Sequence, residues 1–193
     1  MSGAPVEMLL IRHAEADHGG RLVGRTDVPA ILPDETELTR LRGGLTSATR
    51  IVVSPALRCQ MTAKALFPES PFTTDSRLWE QNFGQDEGRA FADLADLGPL
   101  SLGELAAHKA PDGESFLDMC ARVTPALREI AETTKSGCVA VVAHAGTVRA
   151  ALGSALGEPA RGLAFEVAPM SGTLLRVIGD QIAIVRTNAS LAP

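Results

Sequence analysis

Three short apolar segments of this chain are each followed by arginine or histidine, and this pattern constrains the fold more than any other feature. The segments are too short for surface helices and are typical of strands buried within a sheet. In an open α/β sheet, ligands bind in the crevice beyond the carboxyl ends of the strands. The pattern therefore predicts a cationic cluster at one sheet edge, which suits an anion such as phosphate. The segments and the residues that follow them are 6–11 with Arg12 and His13, 51–53 with Arg58, and 139–143 with His144.

Segments with the apolar spacing of helices separate these strands. The clearest is 115–133, where Ser115 is the expected N-cap and Pro125 is predicted to kink or end the helix. Alternating strands and helices predict an α/β layer fold with a mainly parallel sheet, and a closing hairpin adds an antiparallel edge. We expect residues 1–193 to form one domain. The other predicted helices are 35–45, 56–66, 89–97, 101–108 and 147–156, a further strand is 72–78, and the hairpin strands are 173–178 and 181–186.

Charge and composition narrow the classes of partner. The formal net charge is −5 and there is no long basic run, so a nucleic-acid partner has no electrostatic support. No apolar run approaches the roughly 18 residues of a membrane span, so no membrane partner is expected. The 3 cysteines are scattered and lack a CxxC spacing, which favours a reducing cytoplasm.

Four blocks of the sequence follow one another in an order that indicates a known family. They are RHAEA at 12–16, SPALRCQMTA at 54–63, LWEQNFGQDEG at 78–88 and HAG at 144–146. Together they resemble the histidine phosphatase superfamily, the phosphoglycerate-mutase-like proteins. The resemblance covers most of the chain. It implies a three-layer α/β/α domain with the phosphoglycerate-mutase-like fold.

The resemblance also implies a role for each residue of the cationic cluster. His13 would be the nucleophile, because a neutral imidazole nitrogen can attack phosphorus and form a phosphohistidine. Its other ring nitrogen needs an acceptor to fix the tautomer, and the sequence does not identify that acceptor. Arg12 and Arg58 would hold the phosphoryl oxygens through their planar, permanently charged guanidinium groups. His144 would be a second phosphate donor.

Glu80 is the expected general acid, and afterwards the base that activates water. The family's third block favours this residue. Glu15, Glu87 and Glu114 are alternatives of the same residue type.

Further substrate contacts are expected near the helix that follows the last strand. Backbone N–H groups there, beginning at Ala145, would favour an anion. Arg25 is either a substrate contact or a solvated loop charge. The chain departs from the family pattern at three positions, where Ala14 replaces glycine, Ala16 replaces a hydroxyl residue and Gly19 replaces asparagine. These departures affect minor phosphate contacts.

Other phosphate chemistries find less support in the sequence. There is no GxxxxGK[ST] loop, and no cysteine is followed six positions later by arginine. A metal cluster of His13 with Glu15, Asp17 and His18 is an alternative, although these residues share a glycine-rich loop without helical spacing. We therefore expect no metal and no cofactor.

The sequence thus predicts a phosphomonoesterase that hydrolyses a small-molecule phosphate ester through a phosphohistidine. The short stretch between Gly88 and Gly113 favours a phosphatase over a mutase, because mutases of the family carry an insertion there. The short members that the chain resembles include the α-ribazole-5′-phosphate phosphatases of cobalamin assembly. Phe83, Phe91 and Leu94 are expected to face a partly apolar leaving group. The alternatives are a phosphoglycerate-type mutase or a non-catalytic protein that binds a phosphorylated ligand, and a homodimer is a further expectation.

Overall fold

A computed structural model describes residues 4–45 and 48–192 of the chain. Within these ranges the strands are β1 (Val6–Arg12), β2 (Glu15–Ala16), β3 (Ala30–Ile31), β4 (Arg50–Val53), β5 (Thr73–Thr74), β6 (Gly137–Ala143), β7 (Ser171–Ile178) and β8 (Gln181–Ser190). The α-helices are α1 (Glu35–Gly43), α2 (Leu57–Leu66), α3 (Leu102–Ala107), α4 (Phe116–Thr134) and α5 (Ala145–Ala155). Short 3-10 helices occupy Ser76–Leu78, Gly84–Asp86, Phe91–Asp93 and Pro159–Ala164.

The main sheet has 6 strands in the order β5-β4-β6-β1-β7-β8. β1 and β4 both lie parallel to β6, and β5 lies parallel to β4. β7 is antiparallel to β1, and β8 is antiparallel to β7. The predicted α/β class with a mainly parallel sheet and a closing antiparallel hairpin is therefore confirmed. β2 and β3 form a separate two-stranded ribbon.

Helices cover both faces of the sheet because the side chains of each strand alternate between the faces. On β1, Met8 and Leu10 belong to a core cluster with α4 and α5. Leu9 and Ile11 belong to a second cluster with α1 and α2. Burying one such side chain contributes roughly 1.5–3 kcal/mol. The two clusters give the predicted three layers, with β1 and β6 in the centre.

Helix α4 begins as the sequence predicts but does not end where Pro125 suggests. The Ser115 side chain accepts a hydrogen bond from the Asp118 N–H at 3.0 Å, and Asp118 accepts one from the Ser115 N–H, which completes a capping box. The helix then continues through Pro125 to Thr134, close to the predicted range 115–133, so of the two predicted effects of Pro125 the boundary is wrong. A proline in a helix costs about 3 kcal/mol. The continuous buried face of α4, which includes Val123 and Leu127, outweighs that cost.

Two segments contain less regular structure than their sequence patterns predict. Segment 72–78 has only the two-residue β5 and a 3-10 turn, because the Asp75 side chain accepts from the Arg77 N–H and turns the chain. Segment 89–97 has an isolated β-bridge from Ala90 to Arg21 and the 3-10 turn Phe91–Asp93, since this exposed stretch buries no apolar face that could stabilise a helix. No helix within 4–45 and 48–192 is long and apolar enough to cross a membrane.

Candidate active site

The carboxyl ends of β1, β4 and β6 lie side by side. In the sheet register, Arg12 pairs with Ala143 and Val53 pairs with Val142. Just beyond the end of β1, the His13 N–H donates to the carbonyl of Ala143, the last residue of β6, at 2.9 Å. The structure thus brings the residues that follow the three strands to one edge of the sheet.

His13 is buried, with 5% of its surface exposed, and its tautomer follows from one contact. Its Nδ1 lies 2.6 Å from the carbonyl oxygen of Ala14. A carbonyl oxygen only accepts, so Nδ1 carries the proton and Nε2 keeps its lone pair. Burial, followed by the charges of Arg58 and Arg12, lowers the pKa of His13 from 6.5 to about 3. His13 is therefore neutral, and Ala14 supplies the acceptor that the sequence did not identify.

Arg58, the second residue of α2, is 1% exposed and lies between the two histidines. Its Nε donates to Nε2 of His13 at 3.3 Å, and its Nη2 lies 3.3 Å from Nδ1 of His144. The carbonyls of Gly24 and Thr26 accept two further hydrogen bonds at 2.7 and 3.2 Å. In the described part of the chain, no carboxylate forms an ion pair with Arg58. An unpaired buried charge is unfavourable, and an anion beside it would compensate that cost.

His144 is completely buried and lies against His13. The two rings meet edge to face with their centroids 5.1 Å apart, and Trp79 stacks on the other side of His144 at 6.4 Å. Nε2 of His144 is 2.8 Å from the Ser54 hydroxyl. Because Arg58 can only donate to Nδ1, the Nε2–H donates to Ser54. Burial first, and then the nearby charges, lower the pKa of His144 well below its ordinary value.

The guanidinium of Arg12 contains a buried N–H donor that lacks a hydrogen-bond acceptor in the part of the chain that the structure describes. Its Nη1 donates to the carbonyl oxygen of Val167 at 2.6 Å, whereas its buried Nε has no hydrogen-bond partner among the described residues. Burial is the main cause that lowers the pKa of this guanidinium. Leaving a buried donor unpaired costs about 1–3 kcal/mol. An anionic oxygen bound here would remove that penalty.

Glu80 reaches the same edge of the sheet from a loop. Its carboxylate accepts from the N–H of Gln81 at 3.0 Å and from the N–H of Gly146, in the first turn of α5, at 3.3 Å. A Cβ atom on Gly146 would lie 2.2 Å from the Glu80 carboxylate, so a larger residue at this position would displace that side chain. The negative charge of Glu80 acts on Arg12, where it opposes the effect of burial. A carboxylate and two arginines thus share one site.

The other three glutamates have different partners. Glu87 accepts from the backbone N–H groups of 24–26 and from the Thr26 hydroxyl, and these bonds lower its pKa although burial opposes them. Glu114 pairs with Arg122. Glu15 is exposed and lies 3.4 Å from His18. The charge of Glu15 also acts on Arg12, after that of Glu80, but Glu80 is the glutamate that bonds to the first turn of α5 beside His144.

The alternative of a metal cluster is not supported by the geometry. Within the described ranges, no three residues of the types His, Cys, Asp and Glu lie close enough to hold a metal ion. His18 turns away to Glu15 and accepts from the Gly20 N–H at 3.0 Å. Asp17 instead pairs through its backbone N–H with the carbonyl of Pro29.

Arg25 and Ala145 border the site. The Arg25 guanidinium lies 5.7 Å above the Trp79 ring and 3.7 Å from Glu114, and 37% of its side chain is exposed. Trp79 in turn stacks on His144. Ala145 is the first residue of α5 and is partly buried. Their roles toward a substrate remain predictions.

The structure also shows that one departure from the family pattern is compatible with the local backbone. Ala14 has no positive φ, so the position does not require glycine. Its N–H donates to the Thr62 hydroxyl at 3.0 Å, and this hydroxyl donates to the Arg58 carbonyl at 2.7 Å. Thr62 therefore fixes the loop after β1 to α2.

Sequence reasoning did not assign roles to several residues that shape the site. Ser54, Thr62 and Trp79 belong to the matched blocks, so their position beside the assigned residues was a usable signal. Arg122 lies in the middle of α4, outside every block, and it bonds to the loop that carries Glu80. No local sequence pattern marks it.

A parallel sheet with two arginines and two neutral histidines at its carboxyl edge has the architecture of a phosphatase-type hydrolase. The profile of the histidine phosphatase superfamily, branch 1, matches residues 8–190. The chain therefore belongs to this superfamily, which confirms the resemblance found in its sequence. None of the curated protein sequences matches the chain significantly.

Solved structures of similar fold include several phosphatases. A putative α-ribazole-5′-phosphate phosphatase from Escherichia coli is 22% identical with a TM-score of 0.80, and the match covers 97% of each chain. A mycobacterial glucosyl-3-phosphoglycerate phosphatase is 24% identical with a TM-score of 0.78, covering 96% of this chain and 100% of its own. A Thermus thermophilus protein is 31% identical with a TM-score of 0.68, covering 88% and 92%. These likenesses confirm the phosphoglycerate-mutase-like fold.

Proposed function

We propose that the chain is a phosphomonoesterase that hydrolyses a small-molecule monophosphate through a phosphohistidine at His13. The observation that carries this proposal is the environment of Arg58. This guanidinium is buried without a carboxylate partner and bonds to the lone pair of His13. A phosphoryl group would supply the missing negative charge beside the nucleophile.

Binding of a phosphate ester rearranges these contacts. The N–H of Arg58 that now bonds to His13 turns to a phosphoryl oxygen, which frees Nε2 for attack. The unpaired Nε of Arg12 gains an acceptor. The negative charge favours the protonated form of His144, which then donates to the phosphoryl group, and the N–H groups that begin at Ala145 add to the site.

The first half-reaction transfers the phosphoryl group to the enzyme. Nε2 of His13 forms a bond to phosphorus while the bond from phosphorus to the ester oxygen breaks. Protonated Glu80 gives its proton to that oxygen, so the product leaves as a neutral alcohol. The phosphorylated imidazole keeps its Nδ1–H on the Ala14 carbonyl. The arginines stabilise the charge that spreads over the phosphoryl oxygens.

The second half-reaction restores the enzyme. A water molecule attacks phosphorus and passes a proton to the Glu80 carboxylate, while the bond from phosphorus to nitrogen breaks. Phosphate leaves, His13 is again neutral, and Glu80 is again protonated. In this sequence the side chains supply the fixed charges and the acid–base group, and the attacking water supplies the proton that returns to Glu80. We therefore expect turnover to continue in the presence of a chelator.

A cavity of about 510 Å³ borders the Glu80 segment through Gln81 and Phe83, and its apolar wall would accept a partly apolar leaving group. Phe83 and Leu94 line the cavity, whereas Phe91 packs on His18 with the ring centroids 5.3 Å apart. The other apolar residues of its wall include Leu22, Leu97, Leu105, Phe116 and Leu163. An α-ribazole 5′-phosphate is the first substrate to test, because it joins a phosphate to a nucleoside-like group.

The cations near this cavity argue against a densely charged substrate. Arg89 forms an ion pair with Asp86 at 2.6 Å, and Lys109 lies 3.5 Å from Asp118. Both charges are therefore already compensated, which leaves little to attract the second phosphate of a bisphosphate. This disfavours the phosphoglycerate-type mutase, which remains the alternative function.

One experiment tests the proposal and its alternatives together. The purified protein is incubated with p-nitrophenyl phosphate, α-ribazole 5′-phosphate, glucosyl-3-phosphoglycerate and 3-phosphoglycerate, with and without a chelator. Rapid quenching traps acid-labile phosphohistidine, and released phosphate is measured in parallel. We expect phosphate release and a phosphoenzyme at His13. Isomerisation of 3-phosphoglycerate with little released phosphate would identify a mutase, and binding without turnover would identify a binding protein.

A cytoplasmic location also remains a proposal. It is supported by the three cysteines, which are all free and buried in the structure. Fractionation of cells that express the full chain tests it, and recovery outside the cytoplasm would contradict it.

A further inference from the structure

We propose that Arg122 is a positioning residue that holds the loop of Glu80 in its catalytic arrangement. This inference rests on the proposed role of Glu80 as the general acid. Arg122 acts through that residue, because its own contacts are with the backbone of the loop and with Glu114. Its role is therefore distinct from those of Arg12 and Arg58, which would contact the phosphoryl group.

All five N–H donors of the Arg122 guanidinium have an acceptor. Nη1 donates to the carbonyls of Arg77 at 2.8 Å and Trp79 at 2.7 Å. Nη2 donates to the carbonyl of Glu80 at 2.9 Å, and the remaining two donors bind the Glu114 carboxylate. Three carbonyls within four residues of one loop are thus fixed to a single side chain of helix α4.

Glu114 completes this clamp from the opposite direction. Its carboxylate accepts from the Asn82 N–H at 2.9 Å, and its carbonyl accepts from the Gln81 side chain at 2.8 Å. Its own N–H donates to the Asn82 carbonyl at 2.9 Å. The backbone on both sides of Glu80 is therefore held by the Arg122 and Glu114 pair.

Beside this clamp, the segment is anchored just before Glu80 by Leu78, which is completely buried, and by Trp79, which packs against the core. The Glu80 carboxylate is held by two backbone N–H groups, and no strand pairs with the residues around it. Arg122 extends from the middle of α4, where the buried face on Val123 anchors it. Lysine could replace it only in part, since an ammonium has three donors and lacks the planar fork.

The same clamp determines where Trp79 lies, and this provides a direct reporter. Arg122 binds the carbonyl of Trp79, and the indole stacks on His144. Trp79 is the single tryptophan of the chain, so tryptophan fluorescence reports on this loop alone. Displacement of the loop in Arg122→Met should change the emission of Trp79.

The decisive test compares leaving groups. Because general acid catalysis matters most for poor leaving groups, Arg122→Met should lower kcat/KM for phenyl phosphate at least about tenfold more than for p-nitrophenyl phosphate. Arg122→Lys should lie between Arg122→Met and the wild type. Arg128→Met is the matched control, since it removes an exposed arginine from the same helix, and it should leave the ratio unchanged.

A double-mutant cycle separates positioning from general damage. In the Glu80→Gln background there is no acid left to position. Adding Arg122→Met to that variant should therefore lower kcat/KM for phenyl phosphate by less than about a further threefold. Equal losses for both leaving groups, or full additivity with Glu80→Gln, would overturn the proposal. If Arg122→Met does not fold, the same two criteria are applied to Arg122→Lys.

Trapping distinguishes failure of this inference from failure of the proposed function. Arg122→Met should still form the phosphoenzyme at His13 from p-nitrophenyl phosphate. If the wild type forms no phosphoenzyme, the proposed function is wrong. If the wild type and Arg122→Met form it equally and show the same leaving-group dependence, only the role of Arg122 is wrong.

Discussion

The two halves of the candidate site are built differently. One half comes from strand ends and the adjoining helix α2, where His13, Arg58 and His144 are at most 5% exposed. The other half comes from a loop, where Glu80 and Trp79 are partly buried and depend on hydrogen bonds from Arg122. The first half is fixed by the core of the sheet. In the second half the buried Leu78 anchors one end of the segment, and polar contacts hold the backbone of Glu80 itself.

This difference suggests a division of labour within the site. A phosphoryl group is the same in every monophosphate, so residues that hold it can be rigid parts of the sheet edge. The leaving group varies, and loops can adjust to it without altering the core. Glu80 lies at the boundary between the two halves, since it would protonate the ester oxygen that joins the phosphoryl group to the leaving group.

The largest expected effect tests the strand-end half. His13→Ala should lower turnover by about 10⁴-fold or more, because it removes the atom that accepts the phosphoryl group. The measurement is steady-state release of phosphate together with the phosphoenzyme trap. His18→Ala is the control, since His18 lies outside the cluster and should retain turnover. Near-normal activity of His13→Ala would show that no covalent intermediate forms there.

The next effect tests the loop half. Glu80→Gln should slow hydrolysis of phenyl phosphate by about 10²–10⁴-fold, the usual contribution of a general acid. With p-nitrophenyl phosphate the loss in forming the phosphoenzyme should be much smaller, because this alcohol leaves without a proton. Single-turnover kinetics on both esters measure the difference. Glu15→Gln serves as the comparison, and an equal loss in that variant would remove the special role of Glu80.

The same division decides what the sequence alone could predict. An apolar strand followed by arginine or histidine has a short-range signature, and parallel pairing then brings such residues together at one edge. This is why the α/β class and the convergence of His13, Arg58 and His144 follow from their order in the chain. The capping box of Ser115 is equally local and is also confirmed.

The rest depends on contacts between residues that are far apart in sequence. Arg122 reaches a loop 42 residues before it, and nothing around it distinguishes this arginine from Arg128. The close approach of the Glu80 carboxylate to Gly146 likewise joins two residues that are distant in the chain. Helix α4 passes through Pro125 because packing outweighs the local preference, and no sequence window shows the strength of that packing.

A third prediction asks whether the strand-end half is built for binding at the expense of stability. Arg58→Met replaces a buried, unpaired charge with an apolar side chain of similar length. It should lower kcat/KM by about 10²–10³-fold, as expected for loss of a donor to the transition state. Without phosphate, the free energy of unfolding should be unchanged or higher.

Denaturant titrations with and without inorganic phosphate measure this effect. The wild type should gain stability from phosphate, and Arg58→Met should gain little. The control is Arg128→Met, which should respond to phosphate as the wild type does. A large loss of stability in Arg58→Met without phosphate would mean that this guanidinium mainly supports the fold.

The smallest effect is the dependence of stability on pH that the buried histidines impose. The pKa of His13 is about 3 in the folded chain, below its ordinary value of 6.5. The unfolded chain therefore takes up a proton that the folded chain refuses, so stability is complete above about pH 6.5 and falls as the pH drops towards 3. Between about pH 8 and pH 5, His13 should account for a loss of about 2 kcal/mol.

Comparison of the wild type with His13→Gln isolates this contribution, because glutamine cannot take up the proton. The variant should lose less stability than the wild type over the same pH interval. Saturating phosphate should reduce the loss in the wild type, because a bound anion favours the protonated histidines that burial disfavours. Identical pH profiles for the wild type and His13→Gln would mean that burial at the strand ends does not keep His13 neutral. The two halves of the site would then not differ in this electrostatic property.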